Sequence, residues 1–337
     1  MDQLSTRPRT PLTLRRTILV VSVLLILLIA VCVIGLSIGS VSIPFSSILA
    51  SLAGDASVSE TERTIVLAIR LPRVLLAILV GAGLSVAGVV FQALLRNPLA
   101  EPYILGISSG GTVGAILAIS LGAASVATPM ASFIGAAAVM FLVYSIAHRR
   151  GHLDTNTLLL AGVMIGAFFN AAVLLMIAVF NQELRNAFLW LMGNLSMASI
   201  DSIAVVAPFI LLASIALMFL SRSYNLIATG DETAMQLGVE VAKIKRASYI
   251  LASLITGLAV SVSGVIGFVG LIIPHMCRMV FGPDHRLLIP ASFLIGASFL
   301  ILADVLSRTL IAPTEIPVGA VTAAIGAPLF VYLLKRT

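Results

Sequence analysis

The sequence predicts an all-α membrane protein of about ten transmembrane helices, and three observations lead to that class. Hydrophobic residues fill 60% of the 337 positions and charged residues only 10%, against about 25% charged in soluble domains. The mean hydropathy is +1.14. The apolar residues come in runs of roughly 20, the length that crosses a hydrocarbon core, and Lys and Arg punctuate those runs instead of forming a basic tract. A soluble enzyme, a secreted disulfide scaffold and a disordered chain are excluded on composition. Cys32 and Cys277 both lie in apolar runs, so no disulfide framework is implied. The net charge of +6 comes with no basic run interleaved with aromatics, so nucleic acid is not a partner.

Residues 1–16 read as a basic tail and 17–337 as one polytopic domain. The first apolar run, 17–39, is too long for a signal-peptide core and lacks a cleavage pattern, so it is a retained span. After a polar stretch, the second span covers 65–92 and ends at Arg96-Asn97-Pro98. Spans three to five cover 103–121, 129–147 and 157–180, the last two separated by His148-Arg149-Arg150-Gly151-His152. A shorter amphipathic helix, 186–197, is too brief to cross and either lies at the interface or re-enters. Span six covers 203–220, span seven 247–266, a short Pro-interrupted span eight 269–281, span nine 287–307 and span ten 317–334. Ten spans put both termini on one side. Placing that side in the cytoplasm assigns it fifteen of the 20 Lys and Arg residues, as the positive-inside rule expects. Arg63, Arg70, Arg73, Arg185 and Arg308 are the outside exceptions.

An internal repeat is visible when the chain is shifted by 176 positions. Gly81, Ser85, Val86, Gly88, Val89, Leu95, Pro98 and Gly106 then face Gly257, Ser261, Val262, Gly264, Val265, Leu271, Pro274 and Gly282. The copies begin at spans two and seven, an odd separation, so they are inverted in the membrane, a habit of transporters.

Catalytic signatures are absent: there is no P-loop, no H-E-x-x-H and no C-x-x-C. Pro274-His275-Met276-Cys277-Arg278-Met279 offers soft ligands, but neighbours on a helix do not converge on one ion, so no metal site is assigned. Asp304 is the main ionisable group within a span, and Arg308 lies one turn away at i+4, so a structural ion pair is the favoured reading over a proton relay. Such scarcity of intramembrane charge argues that transport energy comes from outside the chain. The stretch from Gly230 to Lys243 reads as two short amphipathic helices hinged at Gly238, with Ala234, Leu237, Val241 and Ile244 as an apolar stripe. Packing on the membrane surface and docking to a partner are both open for it. Arg70 and Arg73 open span two on the outer face and Arg308 closes span nine there. Snorkelling is the plain reading of each. Three exposed arginines on that face would also suit an acidic partner.

Four segments carry a resemblance: RLPRVLLAILVGAGLSVAGVVFQALLRNPLAEPYILGISSG, GDETAMQLGV, SGVIGFVGLIIPHMCRMVFGPDHR and ADVLSRTLIAPTEIPVGAVTAAIGAP. From about residue 60 to the C-terminus the chain resembles the FecCD-type permeases, membrane subunits of bacterial importers for iron–siderophore complexes, haem and vitamin B12. The resemblance implies a type II ABC importer permease fold in the bacterial cytoplasmic membrane. It implies a second permease subunit (identical or paralogous), two cytoplasmic ATPase subunits and an extracytoplasmic substrate-binding protein. It implies no cofactor on this chain, ATP and Mg²⁺ being held by the ATPase. By the same resemblance Arg70, Arg73 and Arg308 match residues that dock the binding protein. Asp231, Glu232, Leu237, Gly238 and Val239 match the coupling helices, Asn97 and Leu99 the cytoplasmic gate, and Gly162, Gly166 and Asn170 a path-lining face, which helix packing explains equally. A ferric siderophore is the expected cargo, with haem and cobalamin as alternatives. An ion-coupled carrier is a remote rival, disfavoured by the missing intramembrane acids, and a membrane enzyme is disfavoured by the missing catalytic groups.

Overall fold

The computed structural model describes residues 12–55, 58–122, 127–149, 152–179 and 190–335. Thirteen helices and one two-stranded hairpin make up the described residues. α1 is Leu14–Ser37, capped by the Thr13 hydroxyl, which accepts from the Arg16 N–H, and α2 is Phe45–Ala53, stopped by Gly54 at φ 75°. α3 runs over Glu60–Leu95. It widens to a π-helical turn at Ile65–Arg70. Pro72 explains the widening: it has no N–H for the carbonyl four residues back and its ring crowds that carbonyl. The ladder therefore slips, and the Leu71 N–H bonds Val66, five residues back.

α4 is Ile107–Ser120, α5 Ala127–Ala147, and the antiparallel hairpin pairs β1, His148–Arg149, with β2, His152–Leu153. α6 is Thr155–Val179 and α7 Ile200–Phe219. Two short helices, α8 (Ser221–Ile227) and α9 (Asp231–Gln236), precede α10, Val241–Ser263. α11 is Val269–Phe281, α12 His285–Thr309 and α13 Val318–Leu334.

Seven of these helices are long and apolar enough to cross a membrane: α1, α3, α5, α6, α7, α10 and α12. The predicted third, eighth and tenth spans are the shorter apolar helices α4, α11 and α13. At 1.5 Å per residue α4 and α11 reach only about 20 Å. The reason is that both begin inside the bundle. Gly106, at φ 73°, leads into α4 and packs against Gly162 and Gly166 halfway along α6. Phe268, at φ 68°, leads into α11 and packs against Gly326 halfway along α13. Each entry residue is left-handed, and each leans on a glycine because a side chain there would collide.

This pairing corrects the register of the internal repeat. Within α3 and α10 the shift of 176 holds: Gly81 lies against α12 and Gly257 against α5, each at a close helix crossing. Beyond them it fails. α3 continues through Gly88 to a left-handed Arg96 at φ 47°, whereas α10 ends at Ser263 and Gly264 already has φ 68°. The structural partners are Arg96 with Gly264 and Gly106 with Phe268, so the matches of Pro98 with Pro274 and Gly106 with Gly282 are coincidences of composition.

α3 is the axle of the bundle, packed on α12, α10, α11 and α7. Gly81 and Gly296 let α3 and α12 meet: a Cβ on Gly81 would stand 2.3 Å from the Gly296 carbonyl oxygen. Gly88 is tighter, its Cβ falling 1.9 Å from the Gly270 oxygen of α11. Small residues at the crossings are how helices associate without a hydrophobic drive between them. Large apolar side chains point outward instead, Leu14, Ile18 and Ile26 on α1 and Leu160, Met164 and Phe168 on α6 among them. That surface suits hydrocarbon or another membrane subunit.

The predicted amphipathic helix 186–197 falls partly outside the described residues. Within them helix stops at Leu191, and Asn194 donates its N–H to the Ser263 carbonyl at 2.8 Å, so the stretch to Met197 is irregular chain laid on the end of α10.

Candidate functional site

Two polar assemblies stand at opposite ends of the bundle. At the end bearing both termini, α9 is joined to the turn that follows α3. Arg96 ends α3 in a left-handed conformation, which turns the chain sharply. Asn97 completes the turn: its side-chain oxygen accepts from the Leu99 N–H at 2.9 Å and its carbonyl accepts from the Ala100 N–H at 3.0 Å. The Arg96 guanidinium pairs with Asp231 at the start of α9. The second oxygen of Asp231 takes the Lys245 ammonium of α10 at 2.5 Å, and Lys245 is buried. One carboxylate therefore ties α9, α10 and the α3 turn together.

The structure corrects the reading of two short helices hinged at Gly238. Only α9 is short; after Gly238, at φ 83°, the chain passes directly into the long α10. The apolar stripe also divides. Ala234 and Val241 are buried against Ile227, with Val239 and Ile244 packed beside them. Leu237 is 61% exposed and Met235 52%, and a side chain on Gly238 would meet nothing within 4 Å. Of the five predicted coupling residues, Glu232, Leu237 and Gly238 face outward, whereas Asp231 and Val239 hold the segment to its own subunit. Met235 was missed because it lies off the stripe, and Arg96 because its partner is 135 residues away in sequence.

Beside this network the Asn225 amide donates to the Asp284 carboxylate at 2.8 Å and its oxygen accepts from the His285 N–H at 2.9 Å. Asp284 caps α12 and is gripped by Arg286. The Arg286 hydrogen bond above all, with the Asn225 amide in support, draws the Asp284 carboxyl down to about 2.

At the other end, the expectation of three exposed arginines is wrong. Arg70, Arg73 and Arg308 are all buried, at 4–5% exposure. Arg73 pairs through Nε with Asp304 at 2.6 Å and through Nη1 with Glu315 at 2.8 Å. Arg308 pairs with the other Asp304 oxygen at 3.1 Å and donates to the Gly35 carbonyl at the same distance. Arg70, carried at the end of the π-helical turn, donates to the Leu36 and Ser37 carbonyls at 2.6 and 2.8 Å and to Val41. It occupies the space above Gly39, where a Cβ would fall 2.8 Å from the guanidinium. A charge inside a membrane protein must find partners within it, and these three find theirs in α1, its exit loop, α12 and Glu315. The ion pair read from the Asp304–Arg308 spacing is present, with Arg73 as a third member.

The path-lining assignment is corrected in part. Gly162 and Gly166 are buried under Leu105 and Gly106, so they seat the entry to α4. Asn170, one turn further along, is exposed. Among the described residues no three His, Cys, Asp or Glu side chains come together as a metal site. The soft run of α11 is spread round its helix, with Cys277 buried, Met276 exposed and the His275 ring edge-on to Phe330 of α13.

A bundle with an inverted repeat, two half-length helices starting at mid-depth and polar groups concentrated at its ends defines a multi-pass transport subunit, a component of an importer and not an enzyme. The chain belongs to the FecCD transport family, whose family model matches residues 26–336. It is 44% identical over 279 residues to the cobalamin import system permease protein BtuC of Halobacterium salinarum, spanning 82% of this chain and 75% of that one. It is 41% identical over 325 residues to the hemin transport system permease protein HmuU of Yersinia pestis, spanning 94% and 96%. Among solved structures, a metal-chelate type ABC transporter in an inward-facing conformation superposes with a TM-score of 0.83 at 32% identity, covering 95% of this chain and 100% of that chain. Members of the family are ABC importer permeases that work with an ATPase and a substrate-binding protein.

Proposed function

We propose that this permease carries an iron chelate across the bacterial cytoplasmic membrane with both termini in the cytoplasm. A second permease subunit, two ATPase subunits and an extracytoplasmic binding protein complete the machine, and ATP and Mg²⁺ are handled by the ATPase. The observation that carries the reading is the single carboxylate of Asp231, which links the exposed face of α9 to the turn after α3. An ATPase pressing on Leu237 and Met235 as it closes on ATP would move α9. Asp231 would then pull the Arg96–Leu99 turn, the gate, and with it the stretch that leads into α4. The abundance of cytoplasmic Lys and Arg supports the orientation. The metal-chelate cargoes in the names of the relatives support the cargo class.

Docking of the binding protein is assigned differently from the first expectation. The buried guanidiniums of Arg70, Arg73 and Arg308 act from beneath, holding α1, α3, α12 and Glu315 in one outer rim. Glu315, with a side chain 39% exposed, is part of the surface the partner would meet. The decisive measurement is ATP-dependent uptake into vesicles containing the permease, its ATPase and its binding protein, with ferric siderophore, haem and cobalamin compared. Uptake of the iron siderophore that needs both ATP and the binding protein is expected. Uptake that persists without the ATPase would overturn the reading in favour of an ion-driven carrier, and selective uptake of cobalamin would overturn the iron cargo alone.

A further inference from the structure

The terminus-bearing end of the bundle also holds a cleft of about 1110 Å³ that the transport cycle described above does not use. Four arginines from separate parts of the chain line it: Arg16 of α1, Arg96 after α3, Arg278 of α11 and Arg286 of α12. Only one carboxylate, Asp284, faces them. Asp284 is taken by Arg286 at 2.5 Å, and Arg96 is taken by Asp231 from outside the cleft. Arg278 donates to the amide oxygen of Gln92 at 3.0 Å, and no carboxylate among the described residues pairs with it. Arg16 donates to the Phe281 carbonyl at 3.4 Å. The cleft is thus strongly positive, with guanidinium forks suited to a phosphate. Its mouth is apolar: Met279 and Val280, both in the lining, are 52% and 69% exposed. Next to it α1, the outermost helix, turns Leu14 and Ile18 to the surroundings.

We propose that this cleft binds the phosphate headgroup of an anionic phospholipid, with Arg278 and Arg16 as its principal ligands and the acyl chains laid over Met279 and Val280. A free phosphate would use the arginines but leave the apolar mouth without a purpose. An acidic segment of the ATPase would meet α9, whose exposed Leu237 and Met235 lie outside the lining. A lipid uses both the charge and the apolar rim, and a basic pocket between helices at headgroup level is the recognised form of such a site.

The test is native mass spectrometry of the permease–ATPase complex released from nanodiscs of phosphatidylcholine with a minor share of phosphatidylglycerol. Retention of phosphatidylglycerol over phosphatidylcholine is expected, falling about fivefold per arginine removed in Arg278→Gln and in Arg16→Gln. Arg16 lies at the start of α1, so its replacement keeps the assay informative should Arg278→Gln fail to fold. Arg222→Gln, an exposed arginine of α8 outside the cleft, should leave retention unchanged. Equal retention of the two lipids, or the same loss in Arg222→Gln, would overturn the site. Thermal protection by inorganic phosphate in detergent, with no preference between the lipids, would overturn the lipid in favour of a soluble anion. Displacement of the lipid when the ATPase binds would overturn it in favour of a protein partner. Retention needs no transport, so a failed uptake experiment leaves this result standing.

Discussion

Asp304 carries two arginines, Arg73 and Arg308, at a site 1% exposed. Removing one member of a buried ion cluster leaves uncompensated charge and destabilises by about 3–5 kcal/mol. Asp304→Ala should therefore lower the detergent melting temperature sharply or prevent accumulation in the membrane. Arg70→Glu/Arg73→Glu should do the same, because it places two acids among backbone carbonyls, Asp304 and Glu315. A folded double mutant that had lost only stimulation by the binding protein would restore the docking role. A milder effect is expected at Asp284. Its folded pKa is about 2 against an ordinary 3.8, so the group stabilises above pH 4 and the contribution disappears as pH falls from about 4 to 2, roughly 2 kcal/mol in all. Melting temperature against pH should lose its acid limb in part in Asp284→Asn. At this scale the i,i+4 spacing made Asp304–Arg308 readable in the sequence. Arg73, 231 residues from Asp304, was readable only as a charge in an unexpected place, and its burial was not.

At the scale of elements, the glycines at helix crossings and the α9 linkage carry the predictions. Gly88→Ala would put a methyl 1.9 Å from the Gly270 oxygen, backbone against backbone, with no flexible side chain to yield. Folded yield, read by size-exclusion chromatography in detergent, should fall severely, whereas Gly238→Ala meets no neighbour and is strained only by its φ of 83°. Arg96→Ala should leave the protein folded and the ATPase turning over while cutting substrate moved per ATP several-fold, since the tie from α9 to the gate turn is gone. Arg96→Lys should recover much of it. Unchanged uptake per ATP in Arg96→Ala would remove the linkage from the mechanism. Element by element, the ten apolar runs were legible because each needs about 20 apolar residues in a row. The half-length of α4 and α11 was not, because the extended chain leading into them is itself apolar and continues the run.

For the whole molecule, the exposed tip of α9 is the place where energy enters. Leu237→Glu, on a side chain 61% exposed, should leave the permease folded but abolish co-purification with its ATPase and with it ATP-dependent uptake. Retained assembly would move the contact elsewhere on the cytoplasmic end. The large apolar surfaces of α1, α5, α6 and α7 make the subunit incomplete in water, and the lipid and a second permease are the surroundings in which it is whole.

The sequence by itself determined the solvent, the number of crossings, the expected orientation and the family, since these follow from composition, run length, charge asymmetry and long ordered motifs. Such properties are sums or local patterns along the chain. Tertiary structure alone decided which polar residues face outward. It buried the three outer arginines, turned Asp231 and Val239 inward, left Leu237 and Met235 exposed, and set Gly162 and Gly166 under the entry to α4. An arginine reads the same in a sequence whether it meets a partner protein or a carboxylate 231 residues away. In a medium that solvates no charge, only the three-dimensional position of its counter-ion tells the two apart.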